Sequence, residues 1–139
     1  MSADFLDSNV FVYLFDETDA RKCELARQVV SSALGDGNGV ISFQVVQETL
    51  HVITRKLKVA VKPEDALVFL REALQPMWRV QPSAGLYARA LGLQGKVALS
   101  FYDSLIVAAA LEAGCKRLLS EDLQHGQRIE GLRVENPFK

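Results

Sequence analysis

Four carboxylate residues stand where apolar segments of the sequence give way to polar turns or helices. They are Asp7, Glu48, Asp103 and Asp122. Carboxylates this close to apolar segments are costly to bury unpaired, so solvent or a cation has to compensate their charge. A cluster of oxygen ligands without cysteine or histidine favours a hard divalent cation, Mg²⁺ or Mn²⁺. The four acids are therefore candidates for a metal site.

A site of this composition favours hydrolysis of a phosphodiester bond. Four neighbouring carboxylates repel one another, and one or two divalent cations remove that repulsion. Such a cation also binds phosphate, activates water for in-line attack and stabilises the leaving oxygen. No candidate serine or cysteine nucleophile is paired with a histidine base, so attack by a metal-activated water is the simplest chemistry.

The elements that must position these acids alternate between strand and helix patterns. Strands are predicted at 3–6, 39–41, 77–80, 116–119 and 132–135, and helices at 20–34, 42–57, 63–74, 84–93 and 102–113. This order predicts one domain, residues 1–139, of the α/β class, with three α/β/α layers around a mainly parallel sheet of about five strands. Ligands of such sheets bind beyond the carboxyl ends of the strands, where Asp7 and Asp122 follow two of them.

Composition narrows the class of protein. The chain has 139 residues, 49% of them hydrophobic, which is enough for a core without disulfides. Its two cysteines, Cys23 and Cys115, do not have C-x-x-C spacing, so we expect reduced thiols in a cytoplasmic protein. The longest apolar run, 105–111, is too short to cross a bilayer. The net charge of −1 neither supports nor excludes nucleic-acid binding, for which a local basic strip suffices.

The motifs that contain the four acids, taken together and in this order, resemble a PIN domain. They are Asp7-Ser8-Asn9, the Ser-x-Gln-Val-x-x-Glu segment 42–48, the segment 102–110 and Ser120-Glu121-Asp122. Within that family the chain is most similar to VapC-type toxins of toxin–antitoxin pairs, over its whole length. The resemblance implies a Mg²⁺-dependent endoribonuclease acting as a toxin, homodimers, and inhibition by a cognate antitoxin protein.

The same resemblance implies roles for individual residues. Asp7 and Asp103 would be the most direct metal ligands, and the other two acids would complete the ligand set or orient the water. Asn9 and Ser120 match positions that commonly hydrogen-bond within the acidic pocket of the family.

Each acid taken alone also has a purely structural interpretation. Asp7 suits the cap of a following short helix, and Asp103 suits a capping box with Ser100. Asp122 suits a turn, and Glu48 borders the apolar stripe of its helix as a solvated residue. None of these interpretations accounts for all four acids in this order.

Three residues outside the acids are candidates for contact with RNA. Arg55 and Lys56 follow the helix that carries Glu48, where they would steer phosphates. The same residues would also complement the dipole at the end of a helix. His125 lies in a loop that we expect to rim the pocket.

Other functions remain open at this point. A phosphatase would use Asp7 as a covalent nucleophile, although such sites usually have a second acid where Asn9 stands. An acidic-pocket binding module would receive a basic partner segment without catalysis. A PIN-like protein could also process RNA without being a toxin.

Overall fold

A single sheet of six strands organises the chain in the computed structural model, which describes residues 2–139. The strands are β1 (Asp4–Leu6), β2 (Gly39–Ser42), β3 (Trp78–Val80), β4 (Arg117–Leu119), β5 (Arg128–Ile129) and β6 (Leu132–Glu135). Their spatial order is β3-β2-β1-β4-β6-β5, and all neighbours are parallel except β5 and β6. The predicted mainly parallel α/β fold is confirmed, but the sheet has six strands, because β5 was not predicted.

Helices flank the sheet, in the predicted layered arrangement. They are α1 (Ser8–Val12), α2 (Ala20–Asp36), α3 (Phe43–Arg55), α4 (Pro63–Phe69), α5 (Ala84–Lys96) and α6 (Phe101–Glu112). The predicted helix 63–74 is α-helical only to Phe69, continues as a π-helical segment, Leu70–Leu74, and ends in a 3₁₀ turn, Gln75–Met77. Pro76 has no N–H to donate and lies in the 3₁₀ turn, which is followed directly by β3.

Side-chain caps fix the starts of several helices. Asp19 accepts a hydrogen bond from the Lys22 N–H at the start of α2, and Ser83 accepts one from the Leu86 N–H at α5. Ser42 holds the predicted cap position of α3, but its side chain makes no capping hydrogen bond. Gly114 follows α6 with φ of 74°, a left-handed conformation that suits glycine, and it ends the helix as predicted.

The core surrounds the central strands and α6. Phe5 and Leu6 of β1 are fully buried, and α6 is buried continuously from Ser104 to Ala110. A helix that is apolar on all sides is expected to be enclosed in this way. Cys23 and Cys115 are free thiols, the first partly buried and the second buried. Within residues 2–139, no helix combines the length and apolarity that a bilayer span requires.

Candidate acidic active site

The acids meet at the edge of the sheet where the strand order reverses, between β1 and β4. Strand β1 lies between β2 and β4, and in the register of the parallel β1–β4 pair Leu6 lies opposite Leu119. The next residues, Asp7 and Ser120, therefore leave the sheet side by side, and the Asp7 N–H donates to the Leu119 carbonyl at 3.0 Å. In parallel α/β sheets, a reversal of the strand order generally opens a crevice beyond the carboxyl ends of the strands.

Asp7 is buried at this edge of the sheet. It is 3% exposed, and its Oδ1 accepts a hydrogen bond of 2.7 Å from the Ser8 N–H. Its Oδ2 accepts one of 2.7 Å from the Ser120 hydroxyl. Burial raises the pKa of Asp7 to about 7, against these two hydrogen bonds, and the negative charges of Asp122 and Glu48 raise it further. Asp7 thus caps α1 and also lies among the other acids.

A polar network ties α1 to the segment 120–122. Asn9 Nδ2 donates to Asp122 Oδ2 at 3.2 Å and to Ser120 Oγ at 3.4 Å, while Asn9 Oδ1 accepts from the Glu121 N–H at 3.2 Å. The Ser120 hydroxyl, itself fully buried, also accepts from the Asp122 N–H at 3.1 Å. The two residues expected to support the pocket, Asn9 and Ser120, are thus in contact with Asp7 and Asp122.

Glu48 and Asp103 approach from α3 and α6. Burial raises the pKa of Glu48, the neighbouring Gln44 side chain opposes this shift, and the charges of Asp122 and Asp103 raise the pKa further. The Glu48 Oε1 atom is buried without a hydrogen-bond partner. The first turns of α3 and α6 are joined by a hydrogen bond of 3.1 Å, which Gln44 Nε2 donates to the Tyr102 carbonyl. The four carboxylates are thus linked through overlapping pairs: Asp7 is influenced by Glu48 and Asp122, and Glu48 is influenced by Asp103 and Asp122.

These observations fit a bound cation. An unpartnered buried carboxylate oxygen and a carboxyl group with a pKa of about 7 both indicate negative charge that the protein does not neutralise. The donors are oxygen atoms, which suits Mg²⁺ or Mn²⁺. Within residues 2–139, no three histidine, cysteine or acidic side chains are already arranged as a metal-ligand set.

A second group of side chains, which the sequence patterns did not single out, holds Glu121. Its carboxylate accepts a hydrogen bond of 2.5 Å from the Tyr13 hydroxyl and pairs with Lys22 Nζ at 2.6 Å. Lys22 Nζ also donates to the Tyr13 oxygen at 3.2 Å. Because Glu121 lies between Ser120 and Asp122, these contacts restrain the loop that carries two residues of the site.

The three predicted RNA contacts lie outside the acid cluster. Arg55 and Lys56 are exposed at the end of α3, roughly 10 Å along the helix from Glu48. His125 is exposed in the loop after Asp122, and its Nδ1 accepts a hydrogen bond of 3.0 Å from the Asn136 N–H. One ring nitrogen of His125 is therefore used within the protein.

Replacing Ser120 with alanine is expected to destabilise the protein by about 1–3 kcal/mol, since Asp7 Oδ2 loses a buried donor. The ribonuclease activity that the sequence resemblance implies should fall roughly 10- to 100-fold, because the partner that orients Asp7 is lost. Chemical unfolding and a cleavage assay measure the two effects. Ser104→Ala is the matched stability control, since Ser104 is equally buried but its hydroxyl has no hydrogen-bond partner. Equal losses in both variants would contradict the role given to Ser120.

Comparison with known proteins identifies the family of the chain. A scan of protein families matches residues 5–128 to the PIN domain. No curated protein is significantly similar to the chain.

Several solved structures share the fold. A toxin–antitoxin complex from Klebsiella pneumoniae has a TM-score of 0.70 at 19% identity, covering 97% of this chain and 98% of that one. DNA-bound VapBC from Salmonella typhimurium has a TM-score of 0.65 at 18% identity, covering 99% of both chains. VapC20 of Mycobacterium tuberculosis, described as a sarcin–ricin loop cleaving toxin, has a TM-score of 0.62 at 20% identity, covering 86% of this chain and 92% of that one.

The structural likeness concerns the fold alone at these identities. The family match, in contrast, spans most of the chain and includes Asp7, Glu48, Asp103 and Asp122. The chain therefore belongs to the PIN domain family.

Proposed function

We propose that this PIN domain is an endoribonuclease that depends on Mg²⁺ or Mn²⁺. The observation that carries the proposal is the convergence of four carboxylates at the reversal of the strand order, with Asp7 buried and Glu48 Oε1 unpartnered. A divalent cation bound there would supply charge stabilisation at the scissile phosphate and activation of the attacking water.

The side chains of this protein would divide the work as follows. Asp7 and Asp103 would hold the cation most directly, with Asp7 oriented by Ser8 and Ser120. Asp122 is held by Asn9 and would complete the site. Glu48 is half-buried beside Asp122 and Asp103, and its Oε1 atom has no hydrogen-bond partner. It would orient the attacking water.

A metal titration of RNA cleavage tests the proposal. The purified chain should cleave a fluorescent single-stranded RNA with Mg²⁺ or Mn²⁺ and should lose that activity in excess chelator. Glu48→Gln should lower the rate about 10- to 100-fold, since the charge that orients the water is removed. Gln47→Ala is the matched control, because Gln47 is the exposed neighbour on the same helix. Cleavage that persists in chelator, or an unaffected Glu48 variant, would contradict the proposal.

We further propose that the nuclease is the toxin of a toxin–antitoxin pair, forms homodimers and is inhibited by a cognate antitoxin. Support comes from the solved structures that share its fold, since two of those compared above are toxin–antitoxin assemblies. In the same cleavage assay, the product of a short adjacent gene should bind the chain and suppress cleavage. Cleavage that no such product suppresses would instead favour an RNA-processing role.

A further inference from the structure

Three arginines form a row across the edge of the sheet opposite the acids. In the strand register Arg117 of β4 pairs with Arg133 of β6, and Arg133 pairs in turn with Arg128 of β5. Paired residues of neighbouring strands lie on the same face, and like charges directly opposite each other are destabilising. Other charges therefore have to offset the repulsion within this row.

Acidic neighbours compensate part of this charge. Arg117 pairs with Asp4 at 2.6 Å and with Glu135 at 2.5 Å, and Arg133 also reaches Glu135, at 3.4 Å. Arg128 and the adjacent Lys116 are exposed and make no ion pair within residues 2–139. Four cations thus face two anions, a local excess of positive charge in a chain of net charge −1.

These four cations line one open cavity. We call Lys116, Arg117, Arg128 and Arg133 the basic patch; the cavity that they line measures about 560 Å³. The Arg133 side chain is 47% exposed and makes one ion pair, whereas all three guanidinium nitrogens of Arg117 donate to neighbouring carboxylates. The cations that present their charge to a ligand are therefore Lys116, Arg128 and Arg133. Guanidinium groups bind phosphate through two parallel hydrogen bonds, which makes a phosphate-bearing ligand the best chemical match.

The accessible cations of the patch lie close together. Arg133 and Arg128 are opposite each other on adjacent strands, about 4.8 Å apart. Two guanidinium groups at this separation can bind phosphate groups of one nucleic-acid strand together. Arg117 of the patch is the first residue of β4. Ser120 follows the last residue of the same strand, about 10 Å from Arg117 along it. Because β4 is buried within the sheet, an RNA bound at the acids reaches the basic patch only over the outside of the domain and needs several further nucleotides.

We propose that the basic patch binds the phosphate backbone of the RNA substrate, as an anchoring surface separate from the acidic site. This inference rests on the proposed ribonuclease function. The patch carries no base-reading geometry, so its contribution is electrostatic and independent of sequence. It increases affinity for RNAs long enough to reach both ends of β4 and leaves the chemical step unchanged.

Salt dependence of RNA binding tests the proposal. Binding of a fluorescent 20-nucleotide RNA is measured by anisotropy in chelator, so that no cleavage occurs. Arg128→Gln/Arg133→Gln should weaken binding at least about tenfold at roughly 0.1 M salt. It should also flatten the slope of log affinity against log salt by about 0.7 per lost phosphate contact. The control Arg27→Gln/Arg71→Gln removes equal charge from exposed positions elsewhere and should leave affinity and slope near wild type.

The Lys116→Gln variant should fold like the wild type, because the Lys116 side chain is exposed and makes no ion pair within residues 2–139. It should flatten the slope by about 0.7. Slopes equal to those of the control would overturn the proposal, as would competition by polyglutamate as strong as that by RNA of equal charge.

Cleavage kinetics separate the patch from the proposed ribonuclease activity. With metal present, the double variant should lower kcat/KM for the 20-nucleotide RNA and leave dinucleotide cleavage unchanged. Equal losses on both substrates would overturn the anchoring role. A chain that binds RNA through the patch but cleaves neither substrate would support the patch and contradict the ribonuclease proposal.

Discussion

Replacing Asp7 with asparagine is expected to lower the rate of RNA cleavage at least about 100-fold and to leave the fold intact. Asp7 is the most deeply buried of the four acids, with one oxygen bonded to the Ser8 N–H and the other to the Ser120 hydroxyl. Asparagine has nearly the same shape, and its carbonyl oxygen can still accept the Ser8 N–H, so the cap of α1 is retained. It cannot carry the negative charge that a divalent cation requires.

The measurement is a single-turnover cleavage assay with Mg²⁺ or Mn²⁺, together with circular dichroism to verify the fold. Asp36→Asn is the matched control, since Asp36 is an exposed carboxylate at the end of α2. That variant should cleave RNA at the rate of the parent protein. A folded Asp7 variant with undiminished cleavage would show that Asp7 does not hold the catalytic cation.

The core of the candidate site was predictable from sequence because chain order and sheet topology constrain it. Asp7 and Ser120 each follow a short apolar strand, and parallel strands deliver their next residues to the same edge. The structure accordingly joins them by a hydrogen bond of 2.7 Å. The positions of Glu48 and Asp103 followed from recognisable helix starts, one of which shows the predicted hydrogen bond from the Asp103 N–H to Ser100 Oγ.

Features that depend on pairing between distant residues were not predictable. Strand β5 has two residues, Arg128–Ile129, too few for an alternating pattern. Its turn contains Glu130 and Gly131, with φ of 49° and 88°, and glutamate is not a residue that signals this conformation. In the sequence, Lys22 is one of several charged residues on a helix face, and only the folded chain shows that its Nζ lies 2.6 Å from the Glu121 carboxylate. The arginine row likewise exists only through the register of three strands.

The largest expected effect on stability is a pH dependence of the metal-free protein that originates at Asp7. Its pKa is about 7 in the folded state against 3.8 as the ordinary value. Below pH 3.8 the group is protonated in both states, and the folded protein has its full stability. As pH rises from about 4 to 7, the unfolded state releases its proton first, so folding becomes progressively less favourable. A difference of about three pKa units corresponds to a loss of at most roughly 4 kcal/mol.

Denaturant unfolding in chelator at pH 4, 5, 6, 7 and 8 measures this loss. Asp7→Asn should remove this pH-dependent loss of stability. The free energy of unfolding of the wild type, minus that of the variant, should therefore decrease as the pH rises and level off above pH 7. Taking this difference cancels the titratable groups that do not interact with Asp7, so the remaining change with pH belongs to Asp7 and the acids coupled to it, Glu48 and Asp122. At pH 8, Mn²⁺ should restore stability to the wild type, because a ligand that binds the folded state stabilises it. It should restore much less to Asp7→Asn. A difference that is flat between pH 4 and 8 would mean that Asp7 is already ionised in the metal-free protein, and the argument that the pocket holds uncompensated charge would fail.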